Sequence, residues 1–337
     1  MSRIRLNGLK VLEGCTHIFD SHRDDKTTPE LLCSRLAAAR INVAFLTHDA
    51  GRGARTAQVS LCMEPARGAA VSLDLTAARG ERGLTRMPSE VALVTVFPYG
   101  QRPDIPGALM RFLAREGIEP AGFAGSPSSL CILVPAGQSE RFLRGLFDLF
   151  EFTAYPSLDD WRAAFPDKNP AAKEIACSYE EQIISTYNAV RYRDLDLWRL
   201  EVPSSRLAGL GNALADMQVH GLSMPFFTGQ PGPQEMLHFA LCLDGNRRDQ
   251  VGRVLSRDLS RVQAVCHEDV SAFVLHGPHF GDRYGVVGAL LTSLHRSGIQ
   301  PLALSCAVSS MTVVVAGRDL DRALIALGSH FLVPPSP

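Results

Sequence analysis

Two stretches decide the fold: GALMRFLAREGIEP at 107–120 and GALLTSLHRSGIQP at 288–301, offset by 181 residues. Working outward at that offset, residues 90–150 align with 271–331 without a gap and share 17 identities in 61 positions. Gly100 meets Gly281, Ser128-Ser129 meet Ser309-Ser310, and Arg141, Leu143, Leu146 and Phe150 meet Arg322, Leu324, Leu327 and Phe331. Self-similarity of this extent marks a duplicated structural unit. A fainter match continues upstream, where ARINVAFL (39–46) lies over HGLSMPFF (220–227) and VSLCME (59–64) over FALCLD (239–244). The chain therefore reads as two copies of one half, near 1–150 and 187–337, joined by a linker with a helix around 171–185.

Each half divides again. VALVTVFPYG (91–100) alternates as a half-buried strand should, and ends in a turn. Ala108, Leu109, Phe112 and Leu113 then share one helical face, and Gly117 suits the end of that helix because glycine tolerates a positive φ. LCILVPA (130–136) is a second strand, followed by a helix over 139–150 with Ser139 as its expected N-cap. The order β-α-β-β-α is the ferredoxin-like plan, two helices on a small antiparallel sheet. Read the same way throughout, the chain is an α+β protein of four ferredoxin-like βαββαβ modules in two repeated halves. The expected borders are 1–88, 89–152, a linker over 153–186, 187–267 and 268–337. Small sheets leave edges that need pairing, so the module sheets are expected to extend one another side by side.

Composition narrows the functional classes. The 34 basic and 35 acidic side chains leave a net charge of -1, which argues against a nucleic-acid or anionic-membrane partner, both of which need a concentrated positive field. Hydrophobic residues make up 46% and charged residues 20%, enough apolar material for packed cores. The N-terminal segment has no long apolar core of the signal-peptide type, and no apolar run is long enough to span a bilayer. The eight cysteines are dispersed without a C-x-x-C pair, so reduced, buried thiols in a cytoplasmic protein are the expectation. GLGNAL (209–214) lacks the dinucleotide pattern and suits helix packing instead. His276 and His279 flank a Gly-Pro turn with no third ligand in sequence, so no metal is expected. No catalytic constellation and no cofactor motif stands out.

The turn-to-helix junctions carry a further signal. Asp282-Arg283-Tyr284-Gly285-Val286 opens one helix and Ser297-Gly298-Ile299-Gln300 closes it. The matching turns are Gln101-Arg102-Pro103-Asp104-Ile105, where Asp104 stands in place of the glycine, and Asp24-Asp25-Lys26-Thr27, whose helix closes at Arg40-Ile41-Asn42-Val43. Ser205-Arg206-Leu207-Ala208 is the most degraded copy. These residues resemble the amino-acid-sensing ACT domain, in particular the paired ACT modules at the regulatory end of aspartate kinases. NGLKVLEGCTHIFD (7–20) and NAVRYRDLDLWRLEV (188–202) also resemble the segment leading into that family's first regulatory module. The resemblance covers most of the chain outside the linker, without any kinase-type nucleotide-binding glycines or lysines. It implies four ACT modules, no catalysis, and an amino acid effector.

Physical chemistry gives these junctions a reason to hold an amino acid. A helix N-terminus offers unsatisfied N–H groups to an α-carboxylate, a nearby aspartate offers a counter-charge to the α-ammonium, and glycine admits close approach. The candidate ligand contacts are Asp282, Tyr284, Gly285, Val286 and Gln300, with Asp24, Thr27, Thr28 and Asn42 at the equivalent junction, and Asp104 and Ser309 as further positions. The plainer alternative is that Asp24 and Asp282 only cap their turns, and that the serines are ordinary turn residues. A non-catalytic sensor is the leading expectation. A trans-acting regulatory or structural subunit of a biosynthetic enzyme such as an aspartate kinase, with vestigial pockets, is the runner-up, and an enzyme with a pocket between modules a third. A regulated enzyme is the expected protein partner, and a homodimer is compatible with the exposed edges.

Overall fold

The computed structural model describes residues 3–22, 28–51, 57–64, 89–165, 183–232, 234–278, 280, 283–307 and 310–333. Chain order runs β1 (Ile4–Leu6), β2 (Gly8–His22), α1 (Thr28–Ala38), β3 (Val43–Asp49) and β4 (Ala57–Met63). Next come β5 (Ser89–Phe97), α2 (Asp104–Glu116), β6 (Gly122–Gly125), β7 (Leu130–Pro135), α3 (Ser139–Leu149) and β8 (Phe150–Phe152), then a short α4 (Leu158–Ala164). The second half begins with β9 (Ile184–Ser185), β10 (Asn188–Pro203), α5 (Leu207–Val219), β11 (Phe226–Pro231), β12 (Met236–Asp244) and α6 (Arg248–Asp258). It ends with β13 (Gln263–His276), α7 (Val286–Arg296), β14 (Ala303–Ala307), β15 (Ser310–Ala316), α8 (Leu320–Leu327) and β16 (Phe331–Leu332). Among the described residues, the two halves repeat one order of elements apart from α6, between β12 and β13, and the short α4. Each half also closes with a parallel pair, β1 on β8 and β9 on β16.

Local chemistry explains the elements. On α2, Ile105, Ala108, Leu109, Phe112 and Leu113 are buried, the spacing of a single apolar face. The helix stops at Gly117, whose φ of 61° lets its N–H reach the carbonyls of Leu113 and Ala114. Two local expectations differ from the structure. Ser139 is the first residue of α3 rather than its cap, and its hydroxyl donates to the Ala136 carbonyl at 2.9 Å. A single 3₁₀ turn over Ala136–Gln138 already leads the chain into the helix, so no side-chain cap is required. The helix expected over 171–185 lies largely outside the described residues, and its end, Ile184–Ser185, is strand β9.

The chain forms two compact units, each built from segments of both halves. Unit one comprises residues 1–13, 91–169 and 196–268; unit two comprises 14–90, 170–195 and 269–337. Unit one carries strands in the order β10-β12-β11-β6-β7-β5. Its central seam pairs β6 with β11 antiparallel, Gly125 opposite Phe227 and Phe123 opposite Gly229. Helices α2 and α5 cross so closely that a Cβ on Gly107 would lie 2.8 Å from the Gly211 carbonyl, and one on Gly211 2.6 Å from the Gly107 carbonyl. Arg111 Nη1 donates to that same Gly211 carbonyl at 2.6 Å. The helix-packing role expected of GLGNAL is thus visible at Gly211.

Unit two carries β2-β4-β3-β14-β15-β13, with every neighbouring pair antiparallel. Its seam pairs β3 with β14, from Phe45 opposite Ala307 to Asp49 opposite Ala303. The side-by-side extension of edge strands expected from the sequence holds in both units. Leu46, Leu61, Leu290, Phe273 and Val313 form the centre of its core, none more than 1% exposed. Helices α1 and α7 meet more loosely than their counterparts, since a Cβ on Gly288 would sit 3.7 Å from the Cβ of Cys33. Among the described residues, no helix is long and apolar enough to cross a membrane.

Candidate ligand-binding site

The start of α7 is set by Gly285, at φ 84° and ψ -9°. This left-handed conformation strains any residue with a Cβ. Space is not the constraint, because a Cβ there would meet only the Cβ of Ala37 at 3.5 Å. The Gly285 carbonyl accepts the helical bond from the Ala289 N–H at 2.9 Å, leaving the first N–H groups of α7 without intrahelical acceptors.

Beside this helix start lies a hollow within unit two. Gly285, Val286, Val287 and Gly288 form one wall, with Phe280 and Arg283 from the segment before the helix. Asn42 and Val43, at the entrance to β3, face them, and Cys33 of α1, Cys306 of β14 and Met311 of β15 complete the lining. The hollow measures about 320 Å³ with its open mouth included, and has room inside for about one water. Cys306 and Met311 stand directly opposite each other in the β14–β15 ladder. Asn42 is buried, and its amide donates to Glu64 Oε1 at 3.4 Å. Burial pushes the Cys33 thiol far up, and the neighbouring Cys306 and Glu30 push it further, so it stays protonated at neutral pH.

The helices beside the hollow are tied together by Glu30 of α1. Its carboxylate accepts from Thr292 Oγ1 at 2.7 Å and bonds to His295 Nδ1, both on α7. Burial works to raise the Glu30 pKa, but the hydrogen bonds from Thr292 and His295 outweigh it and the net shift is downward.

The corresponding junction of unit one, at the start of α2, is closed by a run of hydrogen bonds. Tyr99 is fully buried and donates its hydroxyl to the Met224 carbonyl at 3.4 Å. The Met224 N–H donates to the Gln101 carbonyl at 2.9 Å, and Ser223 Oγ donates to Gln101 Oε1 at 2.8 Å. Arg102 grips Asp104 with Nε at 3.1 Å and Nη2 at 2.6 Å. Burial, then the charge of Asp104, drives the Tyr99 pKa well above its usual value. The phenol therefore remains a neutral donor.

Of the sequence-predicted residues, Gly285, Val286 and Asn42 line one hollow. Tyr284 is half-buried in the turn before α7, Gln300 is exposed beyond its end, and Thr28 is the first residue of α1. Asp104 belongs to the other unit, paired with Arg102. Asp24, Thr27, Asp282 and Ser309 lie outside the described residues, as does His279. Cys33, Phe280, Cys306 and Met311 were not foreseen, since in sequence they read as ordinary core residues. Arg283 did leave a trace, being identical to Arg102 across the repeat.

Comparison with known proteins places the fold. No family model matches the chain, and no curated protein matches it in sequence. Among solved structures, the aspartate kinase from Synechocystis superposes with a TM-score of 0.73 at 12% identity, over 98% of this chain and 57% of the kinase chain. The chain thus spans a little over half the length of that enzyme. The ligand-free regulatory subunit of aspartate kinase from Thermus thermophilus matches 44% of this chain and 99% of its own, at 12% identity and a TM-score of 0.39. Aspartokinase III from E. coli, in complex with lysine and aspartate, matches 45% of this chain and 34% of its own, at 16% identity and a TM-score of 0.32. The chain shares the fold of a large part of an aspartate kinase.

Proposed function

We propose that the chain is a non-catalytic, amino-acid-sensing regulatory protein of four ACT modules, with borders at 1–88, 89–152, 187–267 and 268–337. The observation that carries this reading is the hollow of unit two. It lies at the turn-to-helix junction that the ACT resemblance marks for ligand contact, and it draws on two of the three segments that form the unit. An α-carboxylate would lie between the first N–H groups of α7 and the Arg283 guanidinium, whose planar fork matches a carboxylate. Asn42 would add a polar contact from the entrance to β3.

A second reading is favoured by the closed junction of unit one: the chain serves a separate enzyme as a structural subunit, and ligand sites have been lost. A thermal-shift series of the intact chain with each of the twenty amino acids separates the two. The sensor reading expects at least one to raise the melting temperature, since a ligand at 100 times its Kd stabilises the folded state by about 2.7 kcal/mol. Gly285→Val should abolish that response. A flat response to all twenty supports the structural subunit.

A further inference from the structure

We infer that the sulfur atoms of Cys33, Cys306 and Met311 form a binding site for one soft metal ion, copper(I), in the hollow of unit two. The inference goes beyond the amino-acid reading and stands without it. Cys33 of α1, Cys306 of β14 and Met311 of β15 all line the hollow, and all belong to the core of unit two, at 3%, 6% and 0% exposure. Cys306 and Met311 are direct partners in the antiparallel ladder. Directly opposed residues hold their Cβ atoms about 4.5–5.5 Å apart, a separation from which two sulfurs can share one ion. Cys33 approaches from the helix layer, near enough for Cys306 to act on its thiol electrostatically. Met311 adjusts most easily, because an unbranched thioether with three rotatable bonds can turn its sulfur toward the ion.

The plainer role of buried cysteine and methionine is as apolar filler. Cys131 in unit one fits that role, with its Sγ 3.1 Å from Thr95 Oγ1 inside the sheet. The three sulfurs of unit two differ because they converge on an unfilled space, and protein interiors leave few of these. That space has room for about one water, which suits a single ion. The donor set chooses the metal. Thiolate and thioether are soft ligands of copper(I), whereas zinc takes cysteine, histidine and carboxylate. Charge agrees with this choice. A singly charged ion that displaces the proton of one cysteine leaves a neutral copper–thiolate unit: one S–H bond breaks, one S–Cu bond forms, and the proton goes to solvent. The other cysteine and the methionine add uncharged donors, so no net charge is buried in the apolar core.

The test titrates the reduced, intact chain with copper(I) against a chromogenic copper(I) chelator. The expected result is one ion per chain, with an affinity that falls at least about a hundredfold in Cys33→Ser or Cys306→Ser and about tenfold in Met311→Leu. Met311→Leu conserves volume, so it keeps the core intact if a serine variant fails to fold. Cys131→Ser should leave the affinity unchanged. Copper surrendered wholly to the chelator overturns the inference, as does an affinity indifferent to Met311→Leu. Several ions per chain, lost equally on Cys131→Ser, would mark adventitious thiol binding and overturn it too. Each outcome leaves amino-acid sensing to the thermal-shift series, so the two readings fail separately.

Discussion

The start of α2 in unit one and the start of α7 in unit two descend from the same repeated sequence, yet hydrogen bonds close the first and a hollow lies beside the second. At the first, a buried tyrosine and a run of bonds from Gln101 to Ser223 and Met224 occupy the junction. At the second, a left-handed glycine turns the chain into the helix beside Asn42 and two thiols. The crossing of the paired helices differs in parallel. A Cβ on Gly107 would lie 2.8 Å from the Gly211 carbonyl in unit one, whereas one on Gly288 would come no closer than 3.7 Å to Cys33 in unit two. A duplicated fold can thus keep a pocket in one copy and spend the other on packing.

The largest expected effect comes from opening the closed junction. Tyr99→Ala should destabilise the chain by about 3–5 kcal/mol, the usual cost of deleting a fully buried aromatic side chain, and denaturant unfolding would show it. Next is the helix crossing. Gly211→Ala should cost about 1–3 kcal/mol, since its Cβ would press on the Gly107 backbone and overpack the interface. Gly288→Ala, with ordinary contacts at 3.7 Å, should be neutral or stabilise by up to about 1 kcal/mol, because alanine is the better helix former. Equal costs at both positions would erase the contrast between the crossings.

The smallest effect is electrostatic. The Glu30 carboxyl titrates below its ordinary value in the folded chain. Its contribution is therefore present above the unfolded-state pKa and lost as pH falls through the lower folded-state pKa. A partly exposed pair of this kind contributes about 0–1 kcal/mol. Glu30→Gln should accordingly lower stability slightly at neutral pH and flatten its dependence in the acid range, with little difference remaining at the most acidic end. A variant that is equally destabilised at both ends of that range would show that the carboxylate charge is not the cause.

Much of the fold is legible in the sequence because it is local. The apolar spacing of 105–113, Gly117 beyond it and the alternation of 91–97 specify a helix, its stop and a strand with no help from distant residues. The recurrence at 181 residues carries the same order into the second half. Which segments associate is less visible. β6 with β11 and β3 with β14 are edge pairings between distant segments, and a repeat says nothing about which of several similar edges will meet. The site divides likewise. Gly285 and Val286 were readable from turn chemistry and Asn42 from the family resemblance, whereas Cys33, Cys306 and Met311 belong to the hollow only through the pairing of strands and helices. Tyr99 sat inside a recognisable strand-to-turn segment, and nothing in its neighbours announced that it would close the junction.

The most direct measurement is titration calorimetry of the intact chain with the amino acid that raises its melting temperature most. The contrast between the two junctions predicts one site per chain, an affinity lowered at least about tenfold by Arg283→Gln, and an affinity unchanged by the matching Arg102→Gln. Two equivalent sites per chain, or equal losses from both substitutions, would contradict it.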